Sequence, residues 1–214
     1  MNPHAQFTAA LRSLPLVAIL RGLPVTDAAT IGAALVGAGW QLIEVPLNSP
    51  QPLRSIEVLA AAHPNVLVGA GTVLTAQQVG EVHAAGGRLV VSPNFDAGVV
   101  AAALESGMVC LPGVATASEA FAALAAGASA LKLFPAEMIT PAVVKALRAV
   151  LGTDTVLLPV GGITPASMAA YRRAGADGFG LGSALYQPGM DAAGVARNAR
   201  AFIAAWHAGA PASG

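Results

Sequence analysis

The chain has 214 residues, of which 55% are hydrophobic and only 10% charged, and its eleven basic and eleven acidic side chains leave a formal net charge of zero. That balance excludes a disordered tail protein and leaves no basic footprint for nucleic acid or for an anionic membrane surface, so a small-molecule partner is expected. The length suffices to bury a core without disulfides or a structural metal, and a single domain over residues 1–214 is expected.

In chain order, residues 1–14 place Phe7, Leu11 and Leu14 in helical register, which predicts a short leading helix covering one end of the fold. Eight short β-rich runs follow: Leu16–Leu20, Leu42–Val45, Val66–Gly69, Leu89–Val91, Met108–Leu111, Ala130–Leu133, Val156–Val160 and Gly178–Leu181. Between them lie Ala-rich stretches with apolar residues at helical spacing. Glycines able to end those helices stand ahead of most strands, at Gly39, Gly86, Gly107, Gly127, Gly152 and Gly175. Repetition of a βα unit roughly every 20–25 residues, without a second domain, predicts an α/β fold of the closed (β/α)8 TIM-barrel type rather than an open doubly wound sheet. The one GxG after a strand, Gly69-Ala70-Gly71, has Leu74 where a dinucleotide fingerprint wants glycine or alanine, so no nucleotide cofactor is implied. Residues 208–214 are expected to be a frayed tail.

The apolar run Leu14–Leu20 is too short to span a membrane, and Val58–Gly80 is broken by Pro64, Gly69 and Gly71, so no membrane segment is expected. Cys110 is the only cysteine, which forbids an intrachain disulfide and favours a cytoplasmic setting. It reads as a packed small residue rather than a nucleophile. His4, His63, His83 and His207 lie away from the C-terminal ends of the predicted strands, and no His/Cys/carboxylate cluster has ligand spacing, so neither metal nor cofactor is expected.

A barrel of this type works at the C-terminal ends of its strands, where polar residues are few: Arg21, Glu44, Thr72, Ser92-Pro93-Asn94 and Lys132. Lys132, one of only two lysines, sits between Leu131 and Leu133; a desolvated lysine gives up part of its preference for charge, and its neutral amine attacks carbonyls. The plain alternative is a strand-end lysine whose head reaches water. Glu44 lies between Ile43 and Val45, and period-two alternation turns it, like Lys132, to the face opposite its neighbours. The two then either form a structural ion pair or supply the amine and the proton relay of a Schiff-base reaction. Gly161-Gly162 after strand 7 and Gly182-Ser183 after strand 8 occupy the usual phosphate-cradle position of such barrels.

Six motifs carry a resemblance running from about Leu16 to about Tyr186: Leu16–Gly22, Ile43–Pro50, Gly69–Leu74, Ser92–Asn94, Leu131–Pro135 and Val160–Ile163. In this order and spacing the chain resembles the aldolases that cleave 2-dehydro-3-deoxy-6-phospho-sugar acids, and within them the galactonate branch more than the gluconate branch. The resemblance implies a Schiff base between Lys132 and the C2 ketone, with Glu44 relaying protons through water. It also implies substrate binding at Arg21, Thr72 and Pro93, and a phosphate site at Gly161, Gly162, Gly182 and Ser183. The gluconate enzymes carry arginine where Asn48 stands, which leaves Arg21 as the cation for the pyruvyl carboxylate. They also carry threonine where Val160 stands, so Val160 should weaken any preference for the gluconate epimer. A metal-independent lyase acting on a phosphorylated keto-deoxy sugar acid, assembled as a homotrimer, is thereby implied. Cleavage of the gluconate epimer or of both epimers, a catalytically silent sugar-phosphate-binding barrel, and a phosphosugar isomerase or epimerase remain alternatives.

Overall fold

The computed structural model describes residues 2–209. Helix α1 (Pro3–Ser13) leads into β1 (Leu16–Ile19), α2 (Val25–Gly37), β2 (Leu42–Pro46), α3 (Pro52–Ala62), β3 (Leu67–Gly71), α4 (Ala76–Ala84), β4 (Leu89–Val91) and α5 (Ala97–Glu105). The second half comprises β5 (Val109–Leu111), β6 (Gly113–Val114), α6 (Ala117–Ala125), β7 (Leu131–Leu133), α7 (Pro141–Val150), β8 (Leu157–Pro159), α8 (Pro165–Arg173), β9 (Phe179–Leu181) and α9 (Ala192–Ala208). This is an α/β architecture in which all ladder pairings are parallel, in one curled sheet of order β5-β4-β3-β2-β1-β9 and another of order β6-β7-β8.

The predicted fifth strand, Met108–Leu111, appears as β5, and the structure adds a two-residue strand, β6, that the sequence reading did not include. Pro112 has no N–H for a ladder and separates β5, which pairs with β4, from β6, which pairs with β7. The chain thus changes pairing partner at one residue, and the Pro112 carbonyl still accepts from Lys132 N–H at 3.0 Å. At the other seam, Val160 and Gly180 form an isolated parallel bridge between the end of β8 and the middle of β9.

Both faces of the sheets are buried, as expected where helices cover parallel strands. Ile43, Val45, Leu131 and Leu133 belong to the outer core shared with the helices. Val17, Leu42, Leu67, Leu89, Val109 and Leu158 form an inner cluster, closed at the N-terminal ends of the strands by Phe7 and Ala10 of α1. The leading helix is therefore where the sequence put it. Gly39, Gly86, Gly107, Gly127 and Gly175 adopt positive φ at helix ends, but Gly152 does not: α7 ends on Leu151 in extended backbone. Ala208 closes α9 and Gly209 caps it, while the rest of the expected tail, 210–214, lies outside the described residues.

Gly69 is fixed by the close approach of β3 and β4: a Cβ there would lie 1.8 Å from the Leu89 carbonyl oxygen, a backbone atom that moves only with its strand. Gly69→Ala is expected to lower stability by about 3 kcal/mol or more. Gly152→Ala, with open space around its Cβ and no positive φ, should be neutral or stabilise by up to about 1 kcal/mol. Urea-denaturation midpoints of the two variants check both, and equal midpoints would refute the strand-spacing argument.

Candidate active site

Glu44 and Lys132 are the only charged side chains in the described core, with 1% and 6% of their surface exposed. Strand register accounts for their placement: Glu44 in β2 stands opposite Ile19 and Gly69, and Lys132 in β7 opposite Gly113 and Leu158. Their chain neighbours go to the outer core, so both side chains turn inward. They line one small pocket with Val17, Ile19, Val91, Leu111, Leu158, Val160 and Gly180, an almost wholly apolar wall.

Burial is the main influence on both groups. It raises the Glu44 pKa, with Lys132 and then Arg21 partly opposing. It lowers the Lys132 pKa, with Glu44 opposing and Arg21 reinforcing. The side chains influence one another without a contact ion pair; among the described residues the only salt bridges are Arg54–Glu57 and Arg148–Asp177. Glu44 Oε2 is buried without a hydrogen-bond partner. A structural ion pair would use that oxygen, so the geometry speaks against the structural alternative. Lys132 Nζ lies 4.7 Å from the centroid of the Phe134 ring. Gly71 gives the carboxyl its room, since a Cβ there would come within 2.6 Å of Glu44 Oε1.

A larger cavity of ≈ 440 Å³ shares Ile19, Val160 and Gly180 with the amine pocket. Gly161, Gly162, Gly182 and Ser183, predicted as one phosphate site, all line it, and so does Arg21. Gly161 and Gly162 both have positive φ, a backbone geometry that turns successive N–H groups toward one side. The Gly182 carbonyl accepts from Leu185 and Tyr186 N–H, which folds the segment after β9 into a turn. Val160 stands where the two spaces meet, and Gly180 accommodates it: a Cβ on Gly180 would lie 2.6 Å from Val160 Cγ2.

Thr72 and Pro93 are half-buried in the adjoining loops but line neither cavity. Thr72 holds φ at 57°, a left-handed conformation that costs about 1–3 kcal/mol in a residue of this kind and is characteristic of functional turns. The buried Ser92 hydroxyl donates to the Val73 carbonyl at 2.7 Å and ties that turn to the end of β4.

Two features escaped the sequence. Asn48, noted only for replacing an arginine, accepts a 2.8 Å hydrogen bond from Arg21 and so orients the cation. Glu137, five residues after Lys132, lines the large cavity, and its Oε2 would be 2.3 Å from a Cβ on Gly161. The glycines thus seat a carboxylate as well as bending the loop. The Phe134-Pro135-Ala136-Glu137 string offers no spacing signal that would have placed it there.

The arrangement is a desolvated amine and carboxyl at the base of a cavity rimmed by glycines, the Arg21 cation and the Glu137 carboxylate. It suits imine formation and proton transfer on an anionic substrate. The family model "Aldolase: KDPG and KHG aldolase" matches residues 7–200. A probable 2-dehydro-3-deoxy-6-phosphogalactonate aldolase of Rhizobium meliloti (strain 1021) is 49% identical over 91% of this chain and 92% of its own. The 2-dehydro-3-deoxy-6-phosphogalactonate aldolase of Escherichia coli (strain K12) is 45% identical over 90% of this chain and 95% of its own. Among solved structures, one described as native KDPGal superposes with a TM-score of 0.90 at 44% identity, covering 92% of this chain and 96% of that one. The chain belongs to the KDPG and KHG aldolase family, and it is an aldehyde-lyase of the class I type.

Proposed function

We propose that this enzyme cleaves the C3–C4 bond of 2-dehydro-3-deoxy-6-phosphogalactonate to give pyruvate and glyceraldehyde 3-phosphate. The observation that carries the reading is the Lys132 amine, buried in an apolar pocket it shares with an unpaired Glu44 carboxyl oxygen. Two relatives with identities of 49% and 45% bear the galactonate name and supply the substrate class.

Each step is assigned to a residue. Burial lowers the Lys132 pKa, which raises the fraction of neutral amine able to attack C2. The carbinolamine loses water to give a protonated imine. Glu44, acting through water, removes the C4 hydroxyl proton; the C3–C4 electrons flow into the imine and the aldehyde leaves. The proton returns to C3 of the enamine, and hydrolysis frees pyruvate and the amine. Arg21, held by Asn48, pairs with the C1 carboxylate, aided by the Thr72 and Pro93 loops. The Gly161-Gly162 and Gly182-Ser183 segments receive the phosphate through backbone N–H groups and the serine hydroxyl. The steps as drawn call for no metal or organic cofactor, because the protonated imine is itself the electron sink.

The same reading takes residues 1–214 as one closed (β/α)8 barrel domain, supported by the Val160–Gly180 bridge at one seam and by chain continuity through Pro112 at the other. A cytoplasmic homotrimer is included. No described helix is long and apolar enough to cross a membrane, and Phe121 and Leu104, 51% and 38% exposed, are apolar surface available to such an assembly.

Lys132→Ala should abolish turnover and the irreversible mass gain that pyruvate and borohydride give the parent, with the fold retained. A pyruvate adduct on Lys145 instead, located by peptide mass mapping, would overturn the assignment.

Glu44→Gln should lower kcat by about 10²–10⁴-fold. Because burial raises the Glu44 pKa, its charge costs the fold nothing below the ordinary carboxyl pKa and destabilises as pH rises through the raised value. The variant should therefore melt higher than the parent at pH 8 and lose that advantage near about pH 4. A rate within threefold of the parent would reduce Glu44 to a structural role.

Val160 has no donor or acceptor, and an unmade buried hydrogen bond costs about 1–3 kcal/mol, so the site cannot reward an epimer that needs a hydroxyl partner there. Specificity constants for the two C4 epimers should favour the galactonate form, and Val160→Thr should move the ratio toward gluconate by about tenfold. A parent that strongly prefers gluconate, or an unmoved ratio, refutes the argument from Val160.

A further inference from the structure

At the opposite ends of the strands lies a separate cavity of ≈ 410 Å³, whose lining includes Arg148, Thr153, Arg172, Arg173, Asp177 and Trp206. Thr153 precedes β8 and Asp177 precedes β9, whereas Gly161 and Gly182 of the Lys132 cavity follow those same strands. In a chain with so few charges, three arginines converging on one space call for an explanation.

Arg148 is a structural member of this group. Its guanidinium donates to the carbonyls of Gly152, Thr155 and Gly175 and to Asp177 at 2.5 Å, and Asp177 also accepts from Leu157 N–H. Asp177, the one carboxylate of the cavity, therefore has its Oδ2 engaged by both donors. Arg172 stacks on the Trp206 indole, 3.7 Å from the ring centroid, and makes a single hydrogen bond, to the Trp206 carbonyl. Arg173 has no hydrogen-bond or salt-bridge partner among the described residues. Among the described residues the Arg173 guanidinium and the Nε–Nη2 edge of Arg172 are thus open beside an aromatic platform, in a space comparable in size to the catalytic cavity. Burial lowers the Arg172 pKa with no carboxylate to offset it, the condition of a cation lacking its counter-ion.

We propose that this cavity binds a small polyvalent anion bearing phosphate or carboxylate groups, held by the Arg172 and Arg173 forks over the Trp206 ring. Arginine forks match both oxyanions bidentately, and a cavity of this size fits a metabolite-sized ligand.

Trp206 provides the readout, because the chain's other tryptophan, Trp40, is fully buried. The full chain is titrated with inorganic phosphate and, separately, with citrate, each against sodium chloride at matched ionic strength, while tryptophan emission is followed. A saturable change is expected that chloride does not reproduce, and the anion that saturates lower identifies the preferred oxyanion. Arg173→Ala should weaken the binding about tenfold, Arg173→Glu should abolish it, and Trp206→Phe should remove the signal. Aldol cleavage by Arg173→Ala should stay within twofold of the parent, since Arg173 lies outside the Lys132 cavity. A response that chloride reproduces, or that survives Arg173→Glu, would overturn the proposal and leave Arg172 as a cap on the last turn of α9.

Discussion

The whole site depends on the cost of taking an ammonium and a carboxylate out of water. Parallel strands covered by helices on one side and by each other on the other side leave an interior with almost no polar atoms, and among the described residues Glu44 and Lys132 are its only charged side chains. Each is pushed toward its uncharged form by burial, and each partly restrains the other. Had they formed a contact ion pair, the amine would be held protonated and the carboxyl oxygens occupied. Their separation without contact suits the nucleophile and proton-carrier roles proposed for them, and the fold bears the cost of that pair in stability.

Glycines translate this constraint into geometry. Gly71 lets the Glu44 carboxyl into the pocket, Gly180 lets Val160 into the wall between pocket and cavity, and Gly161 seats the Glu137 carboxylate. In each case a methyl group would occupy the space that a neighbouring side chain needs. The sheet and the site are thus tuned by the same device: Gly69 brings strands together through backbone proximity, and Gly71, two residues on and on the same face, admits a functional group.

Much of this was legible in the sequence because its carriers are periodic or rare. Alternation turned Glu44 and Lys132 inward, and a lysine in an apolar run is conspicuous in a chain with only two lysines. The glycine pairs after the last two strands fell on one cavity, as their position relative to the strands required. What stayed hidden depends on approaches between segments distant along the chain. The hydrogen bond from Arg21 to Asn48 joins the loops after β1 and β2, and Glu137 reaches Gly161 from the segment after β7. Pro112 marked the end of strand five in the sequence, yet the short strand after it and the change of pairing partner emerge only from the ladders on either side. Gly152 marks the limit of reading glycine as a helix stop: it precedes its strand like the others without adopting their backbone geometry.

The leading helix has a kinetic consequence. Phe7 and Ala10 of α1 pack into the inner cluster at the N-terminal ends of the strands, so the amine pocket is stoppered from below and communicates with solvent through the larger cavity. A blind pocket has a single exit. On the proposed assignment the fragment bonded to Lys132 is the deeper one and the phosphorylated fragment stands between it and the opening, so the early departure of the aldehyde has a clear path. In the reverse direction pyruvate must load first. The order that the covalent imine sets on the proposed mechanism is thus matched by the corking of one end of the sheet, some distance from any atom that reacts.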